Sequence, residues 1–300
     1  MKLLLAIDSS AASQQVVDEV AARPWPADLT LCAFTAIDTT SLSDLPALID
    51  DAKREAELAL KTAVEKLAQS GLSCQSQVIL GHPRRAISSY AADWGADWIL
   101  LGSHGHTAIG RFLLGSVAQA VLRTAPCSVE IVRRRFTAPQ SSSLPMKVLV
   151  ATDGSQFSAD AVRSVAARPW PKGTQFQILS VEDLAVGATP LTGSPLSSIY
   201  PVTLLEELLT DARNRAIRAV EEGREILQNQ RCDVVVARPV PSGDPRVVIL
   251  DTAQAWPAEL IVLGSHGRRG LDRLLMGSVA ESVAVHAHCS VEVVRSASKA

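Results

Sequence analysis

The sequence repeats itself, and this repeat restricts the possible folds more than any other feature. The string Ala-Ala-Arg-Pro-Trp-Pro occupies 21–26 and returns at 166–171. The string Leu-Gly-Ser-His-Gly occupies 101–105 and returns at 263–267, followed in both places by Gly-Ser-Val-Ala and Cys-Ser-Val-Glu. Strings that recur in one order indicate a duplicated structural unit. A chain of 300 residues is long enough for two units of ordinary domain size.

The limits of the two units follow from where the matching strings begin and end. We predict one domain at 1–135, a linker rich in Ser and Pro at 136–145, and a second domain at 146–300. The distance between matching strings grows from 145 residues near the start of the copies to 162 near their ends. Most of the added residues fall in 184–201, where frequent Gly, Pro and Ser predict a loop.

Short apolar runs alternate with helical patterns in both copies. The first copy has predicted strands near 2–7, 29–37, 74–80, 98–101 and 128–132, and the second near 147–151, 175–182, 232–238, 260–263 and 290–294. The predicted helices lie between them, for example near 11–22 and 45–70. Strands that alternate with helices predict an α/β fold of two tandem doubly wound domains, each with a parallel sheet between layers of helices.

Composition and charge exclude several classes of function. The net charge of −2 provides no general attraction to nucleic acid or to an acidic membrane surface. No apolar stretch approaches the roughly 18 residues of a membrane span. The five cysteines are odd in number and include no Cys-x-x-Cys pair, which argues against a disulfide framework or a zinc site. We therefore expect a cytoplasmic protein that binds neither nucleic acid nor membrane.

A glycine-rich string follows the fourth predicted strand of each copy. The first copy has Gly102, then Gly105, and after nine further residues Gly115 and Ser116. The second copy repeats this spacing at Gly264, Gly267, Gly277 and Ser278. Backbone N–H groups in such a loop can form a nest for an anion, and the start of the next helix favours phosphate. Two copies with the same spacing predict two phosphate sites, with simple turn formation as the alternative.

The string differs from the two best-known phosphate loops. The chain has no Gly-x4-Gly-Lys-Ser/Thr string, and no Gly-x-Gly-x-x-Gly follows the first strand. A Walker-type nucleotide hydrolase and a dinucleotide site are therefore not expected. Within the loops, His104 and His266 have no identifiable nucleophile or acid beside them in the sequence. We expect a structural, hydrogen-bonding role for both histidines.

Further strings accompany the glycine loops at matching places in the two copies. The first strand ends at Asp8-Ser-Ser in one copy and at Asp153-Gly-Ser in the other, and Gly81-His-Pro corresponds to Gly243-Asp-Pro. With these strings the sequence resembles the universal stress protein family in its tandem form, over nearly all of both halves. The resemblance implies five-stranded parallel sheets in the order 3-2-1-4-5, similar to those of adenine nucleotide alpha hydrolases. It also implies an intrachain pseudo-dimer paired through the last strands, and it leaves a homodimer and protein partners open.

The ATP-binding branch of that family has the full glycine string, so the resemblance implies ATP as the ligand, with Mg²⁺ as a candidate companion ion. Carried over by matching position, the residues implied for the first site are Asp8, Ala36, Gly102, Gly105, Gly115 and Ser116. Those implied for the second site are Asp153, Val181, Gly264, Gly267, Gly277 and Ser278. For both aspartates and both serines, capping of a helix is the alternative role.

The resemblance favours an ATP-binding regulatory protein of the stress response. A slow ATP hydrolase or phosphotransferase is the second hypothesis, although no second repeated carboxylate is placed for a metal or a base. A protein-interaction scaffold with degenerate nucleotide sites is the third.

The loops also differ in charge between the copies. The first has Arg111 between its second and third glycines, and the second has Arg268, Arg269 and Arg273. Arginine suits phosphate oxygens, so the second site is predicted to bind triphosphate more tightly, with a solvated basic loop as the alternative. The inserted loop at 184–201 is a candidate lid over that second site.

Overall fold

The computed structural model describes residues 1–40, 46–105, 114–133, 145–183, 202–228, 233–236, 240–268 and 276–296. The predicted linker therefore lies outside the described residues, apart from Pro145, and so does the candidate lid at 184–201. The predicted domain limits remain predictions.

The described part of the first half alternates strands and helices. Its elements are β1 (Lys2–Ala6), α1 (Ala11–Ala22), β2 (Thr30–Ile37), α2 (Pro46–Gln69), β3 (Cys74–Leu80), α3 (Pro83–Trp94), β4 (Trp98–Gly102), α4 (Ser116–Thr124) and β5 (Ser128–Val132). Most bounds lie within a residue of the predicted ones. The α3 helix begins with Pro83, which loses nothing there because the first turn of a helix has no partner for its N–H groups.

The second half follows the same order with two additions. Its elements are β6 (Lys147–Ala151), α5 (Gln156–Ala166), β7 (Gln175–Leu179), β8 (Glu182–Asp183), α6 (Val202–Gln228), β9 (Asp233–Val236), β10 (Ser242–Gly243), α7 (Pro245–Ala255), β11 (Leu260–Gly264), α8 (Ser278–His286) and β12 (Ser290–Val294). The strand predicted at 175–182 is thus divided into β7 and β8. The short β8 pairs with β10, outside the main sheet.

Among the described residues, the main sheet contains ten strands in the order β3-β2-β1-β4-β5-β12-β11-β6-β7-β9. Within each half the strands run parallel in the expected 3-2-1-4-5 order. The last strands β5 and β12 pair antiparallel, with Glu130 opposite Glu292. The predicted fold class and the intrachain pairing through the last strands are confirmed.

The apolar core differs between the two faces of the sheet. On the face covered by α3, α4, α7 and α8, one cluster of buried side chains runs continuously across the β5–β12 junction. On the opposite face, one cluster lies beneath α1 and α2 and a separate cluster lies beneath α5. The first face therefore joins the halves by apolar packing, and the second face holds two separate cores.

Buried charges lie at the junction on that second face. Arg23 donates to both oxygens of Glu130, at 2.8 and 2.5 Å, and also to Glu19 at 2.8 Å. Arg168 donates to Glu292 at 2.8 Å. Each arginine comes from a repeated Ala-Ala-Arg-Pro-Trp-Pro string and each strand glutamate from a repeated Cys-Ser-Val-Glu string. The duplicated strings thus form two neighbouring ion pairs, which sequence reasoning did not foresee.

Candidate functional site

The first glycine of each string packs the end of a strand against a helix. A Cβ added to Gly102 would lie 2.7 Å from the Cβ of Ala12 in α1. One added to Gly264 would lie 2.7 Å from the backbone C and O of Phe157 in α5. Real Cβ atoms do not approach so closely, so only glycine fits here. This packing alone accounts for both glycines, and their contact with a ligand remains a prediction.

The third glycine of each string folds the loop back onto the start of the next helix. The N–H of Gly115 donates to the carbonyl of Ser103 at 2.8 Å, and Gly277 donates to Ser265 at 2.8 Å. Each of these glycines is the N-cap of its helix, α4 or α8, and neither provides a side-chain cap. The first N–H groups of α4, which begins at Ser116, and of α8, which begins at Ser278, therefore have no side-chain acceptor at the N-cap.

The second glycine of each string lies against the early aspartate. A Cβ on Gly105 would lie 2.8 Å from Oδ2 of Asp8, and one on Gly267 would lie 2.9 Å from Oδ2 of Asp153. The structure therefore brings the aspartate, the loop and the helix start together in each half. This is the edge where the carboxyl ends of the parallel strands meet, where ligands of such sheets usually bind.

Neither aspartate is the N-cap of the following helix. Oδ1 of Asp8 accepts the N–H of Ser10 at 3.0 Å and the hydroxyl of Ser13 at 2.5 Å. Ser10 itself is the N-cap of α1, and Ser155 is the N-cap of α5. The simple capping alternative for the aspartates is thus wrong, because each supports the loop that leads to the capping serine.

In the second site the aspartate accepts two described backbone N–H groups. Oδ1 of Asp153 accepts the N–H of Ser155 at 3.0 Å, and Oδ2 accepts the N–H of Arg268 at 3.0 Å. The matching residue of the first site, His106, lies outside the described residues. So do Arg111, Arg269 and Arg273, on which the predicted difference in triphosphate affinity depends.

Ala36 and Val181 occupy the neighbouring strand positions at the same edge. Ala36 is the next-to-last residue of β2, and Val181 follows the end of β7. Both are partly buried against the core cluster that is continuous across the junction. The two residues therefore lie on the face of the sheet that carries α4 and α8.

The loop histidines form hydrogen bonds within their own loops. Nδ1 of His104 lies 3.0 Å from the Ser103 hydroxyl, and Nδ1 of His266 lies 3.0 Å from the Ser265 hydroxyl. Nε2 of both rings is buried and has no partner among the described residues. Burial, with a smaller contribution from the charge of Arg133, lowers the pKa of His104. A neutral His104 is the form that this environment favours.

Two arginines that the sequence analysis did not select link the sites to the opposite half. Arg133 follows β5 and donates to carbonyls at the end of α8, whereas Arg295 follows β12 and donates to carbonyls at the end of α4. The sequence does contain a signal for these arginines, because the repeated Cys-Ser-Val-Glu string continues in both copies as x-Val-Arg. What the sequence could not show is that each arginine reaches across the junction.

The described ranges contain no cluster of metal ligands. No group of three or more His, Cys, Asp and Glu side chains there could hold a metal ion. None of the described helices is both long and apolar enough to cross a membrane. The site therefore consists of a glycine loop, a carboxylate and a helix start, present twice.

Fold and site together define a class: a duplicated doubly wound α/β protein with a candidate anion-binding loop after the fourth strand of each half. The chain belongs to the universal stress protein family, whose model matches residues 1–133 and 146–295. The two matches confirm the tandem form.

Similar proteins agree with this assignment. A universal stress protein of Mycolicibacterium smegmatis is 30% identical over 303 residues, which cover 98% of this chain and 96% of the relative. One from Mycobacterium tuberculosis is 29% identical over 82% of this chain and 77% of its own length. The crystal structure of a universal stress protein from Archaeoglobus fulgidus shares the fold, with a TM-score of 0.67 and 22% identity over 100% of this chain and 97% of that one.

Proposed function

We propose that the chain binds two molecules of ATP, one in each half, and acts in the cytoplasm as a nucleotide-dependent regulatory protein. The observation that carries the proposal is the repeated start of α4 and α8. Both helices begin without a side-chain cap, whereas α1 and α5 begin with a serine that caps them. In each half an uncapped helix start lies beside the glycine loop, and α3, which also begins without a side-chain cap hydrogen bond, has no such loop before it.

Phosphate is the part of ATP that this helix start suits. Free N–H groups and the helix dipole attract an anion, and each such charge interaction contributes about 0.3–1 kcal/mol. The hydroxyls of Ser116 and Ser278 stand at the first helical position and would add a donor to a phosphate oxygen. In this proposal Gly105, Gly115 and their counterparts leave the loop backbone open to the ligand.

The nucleoside would lie along the strand ends next to the loop. Asp8 and Asp153 would accept hydroxyl groups of the ribose, since a carboxylate has acceptor capacity beyond the bonds it already makes. Ala36 and Val181 would contact the base. Mg²⁺ is usually bound by one or two carboxylates together with substrate phosphates, so one aspartate per site suffices for a companion ion.

The first experiment identifies and counts the nucleotide released from freshly purified protein by denaturation, using mass spectrometry. We expect up to two adenine nucleotides per chain. Isothermal titration with ATP then measures binding to the emptied protein. A ratio of ATP to ADP that does not change with time would favour a sensor over the hydrolase alternative.

Each site is tested separately with Gly115→Val and Gly277→Val, which place a side chain about 3 Å from a loop carbonyl. Each variant is expected to lose one of two bound nucleotides. Gly71→Ala is the control for general destabilisation, because φ of 79° makes a side chain strained there although the space is open, and Gly71 lies at the opposite end of the strands, so both nucleotides should be retained. Absence of binding at millimolar ATP in the unaltered protein would refute the proposal and favour the scaffold hypothesis.

A further inference from the structure

We propose that Arg133 and Arg295 are positioning residues through which each half of the chain holds the phosphate-binding helix of the other half. The inference depends on the proposed function, because it concerns the same two sites. It adds that neither site is complete within its own domain.

Arg295 reaches from the second half to the helix of the first site. It follows β12, and its guanidinium donates to the carbonyl of Leu122 at 2.9 Å and to that of Arg123 at 3.1 Å. These carbonyls belong to the last turn of α4, where backbone acceptors have no partner within the helix. The N-terminus of the same helix, beginning at Ser116, is the proposed phosphate site.

Arg133 makes the reciprocal contact from the first half. Its guanidinium donates to the carbonyls of Ala284 at 2.6 Å and Val285 at 3.3 Å, in the last turn of α8, and to Cys289 at 3.4 Å. The N-terminus of α8 is the proposed phosphate site of the second half. The two contacts are related by the repeat, so the junction contains a crossed pair of helix caps.

The backbone beside each arginine is tied to the glycine loop of its own half. The carbonyl of Val132 accepts the N–H of Ser103 at 3.2 Å, and the carbonyl of Val294 accepts the N–H of Ser265 at 2.9 Å. Arg133 thus links the first loop to the second phosphate helix. Arg295 links the second loop to the first phosphate helix.

In both helices the end that the arginine contacts lies close to the end proposed to bind phosphate. α4 and α8 have nine residues each, so only about 13 Å separate the capped end from the phosphate end. A cation at the C-terminus of a helix interacts favourably with its dipole. Burial lowers the pKa of Arg133 to about 10, which still leaves Arg133 charged at neutral pH. Burial also lowers the pKa of Arg295.

The test measures one site at a time by isothermal titration with ATP. The first background, Gly277→Val, retains only the first site. The second background, Gly115→Val, retains only the second site. On the first background we expect Arg295→Ala to weaken binding about threefold to tenfold, although the changed residue belongs to the other half. On the second background the same change should alter affinity by less than about twofold. Arg295→Lys, which keeps the charge, should restore most of the affinity.

The matched control is Arg123→Ala, which removes a cation from the same last turn of α4. Arg123 points to the solvent side and pairs with Glu281 instead of capping the helix. It should leave the first site within about twofold. Arg295→Gln keeps a hydrogen-bond donor but removes the charge, and it replaces Arg295→Ala if the alanine variant does not fold. We expect Arg295→Gln to weaken ATP binding at the first site as well.

Two results would overturn the crossed-cap proposal. One is unchanged affinity of the first site in Arg295→Ala and Arg295→Gln, and the other is equal loss at both sites, which indicates general destabilisation. Absence of ATP binding in the unaltered protein is a different result, because it refutes the proposed function itself.

Discussion

Where the candidate site is described, the two halves share the same backbone contacts but differ in the charges around them. Both loops close with the same 2.8 Å bond from the third glycine, and both helices start without a side-chain cap. The first turn of α8 contains Glu281, whereas the matching position of α4 is Gln119. Glu281 is paired with Arg123 from the last turn of α4. Duplication has thus preserved what backbone packing requires and left the electrostatics free to diverge.

The junction shows the same kind of difference. Arg23 holds two carboxylates, whereas Arg168 holds one and lies over the ring of Trp98 at 4.3 Å. The residue that matches Glu19 in the second half is Ser164. The first half therefore relies more on buried charge than the second half does.

The largest expected effect compares the two junction arginines. Arg23→Ala should lower the free energy of unfolding by about 3–5 kcal/mol, because it leaves the fully buried Glu130 without its partner. Arg168→Ala should cost less, about 1–3 kcal/mol. Burial raises the pKa of Glu292, so this carboxylate loses its charge more readily when the arginine is removed. Urea unfolding of the two variants measures the difference.

Arg54→Ala is the control for that comparison. Arg54 is exposed and pairs with Asp51 on the surface of α2, so its loss should change stability by less than about 1 kcal/mol. Equal costs for Arg23→Ala and Arg168→Ala would contradict the view that the two halves differ in their dependence on buried charge.

A smaller effect compares the first glycines of the two strings. Gly264→Ala should cost about 1–3 kcal/mol, because its Cβ would meet backbone atoms of Phe157 and Ser158 within 2.9 Å. Gly102→Ala should cost less, since its Cβ would meet one atom at 2.7 Å, the Cβ of Ala12, and would come no closer than 3.0 Å to backbone atoms. Thermal unfolding checks the order, and a larger cost at Gly102 would show that the strand–helix contact is not tighter in the second half.

The smallest effect exchanges the charges at the two helix starts. Glu281→Gln should strengthen ATP binding at the second site, and Gln119→Glu should weaken it at the first, each by about twofold to fivefold. The physical reason is the repulsion between a carboxylate in the first turn and a phosphate. Titrations on single-site backgrounds measure both changes, and the differences should shrink at high salt. Changes that persist undiminished in 1 M salt would rule out this electrostatic cause.

That exchange also bears on the predicted affinity difference. The sequence predicts tighter triphosphate binding at the second site from the arginines of its loop, and by the same electrostatic argument Glu281 would oppose it. The balance between the two sites is therefore open to direct measurement in the unaltered chain.

Much of the fold was predictable because its signals are local. The helix predicted near 11–22 is observed at Ala11–Ala22, since the helical pattern that marks it is a local property of the sequence. The division of the strand predicted at 175–182 was missed, because β8 is defined only by its pairing with β10. The capping alternative for Asp8 failed for a similar reason: two serines follow the aspartate, and only the folded chain shows which one caps the helix.

The sequence by itself determined that this protein is a duplicated α/β chain with a glycine loop in each copy, since repeats, periodicity and glycine spacing are properties of short segments. Tertiary structure decided how the copies depend on each other. It placed Arg168 of the second half over the ring of Trp98 of the first half, and Arg295 on the end of α4 across about 170 residues. Such contacts arise where β5 and β12 meet, because antiparallel pairing brings equivalent residues of the two halves to one junction.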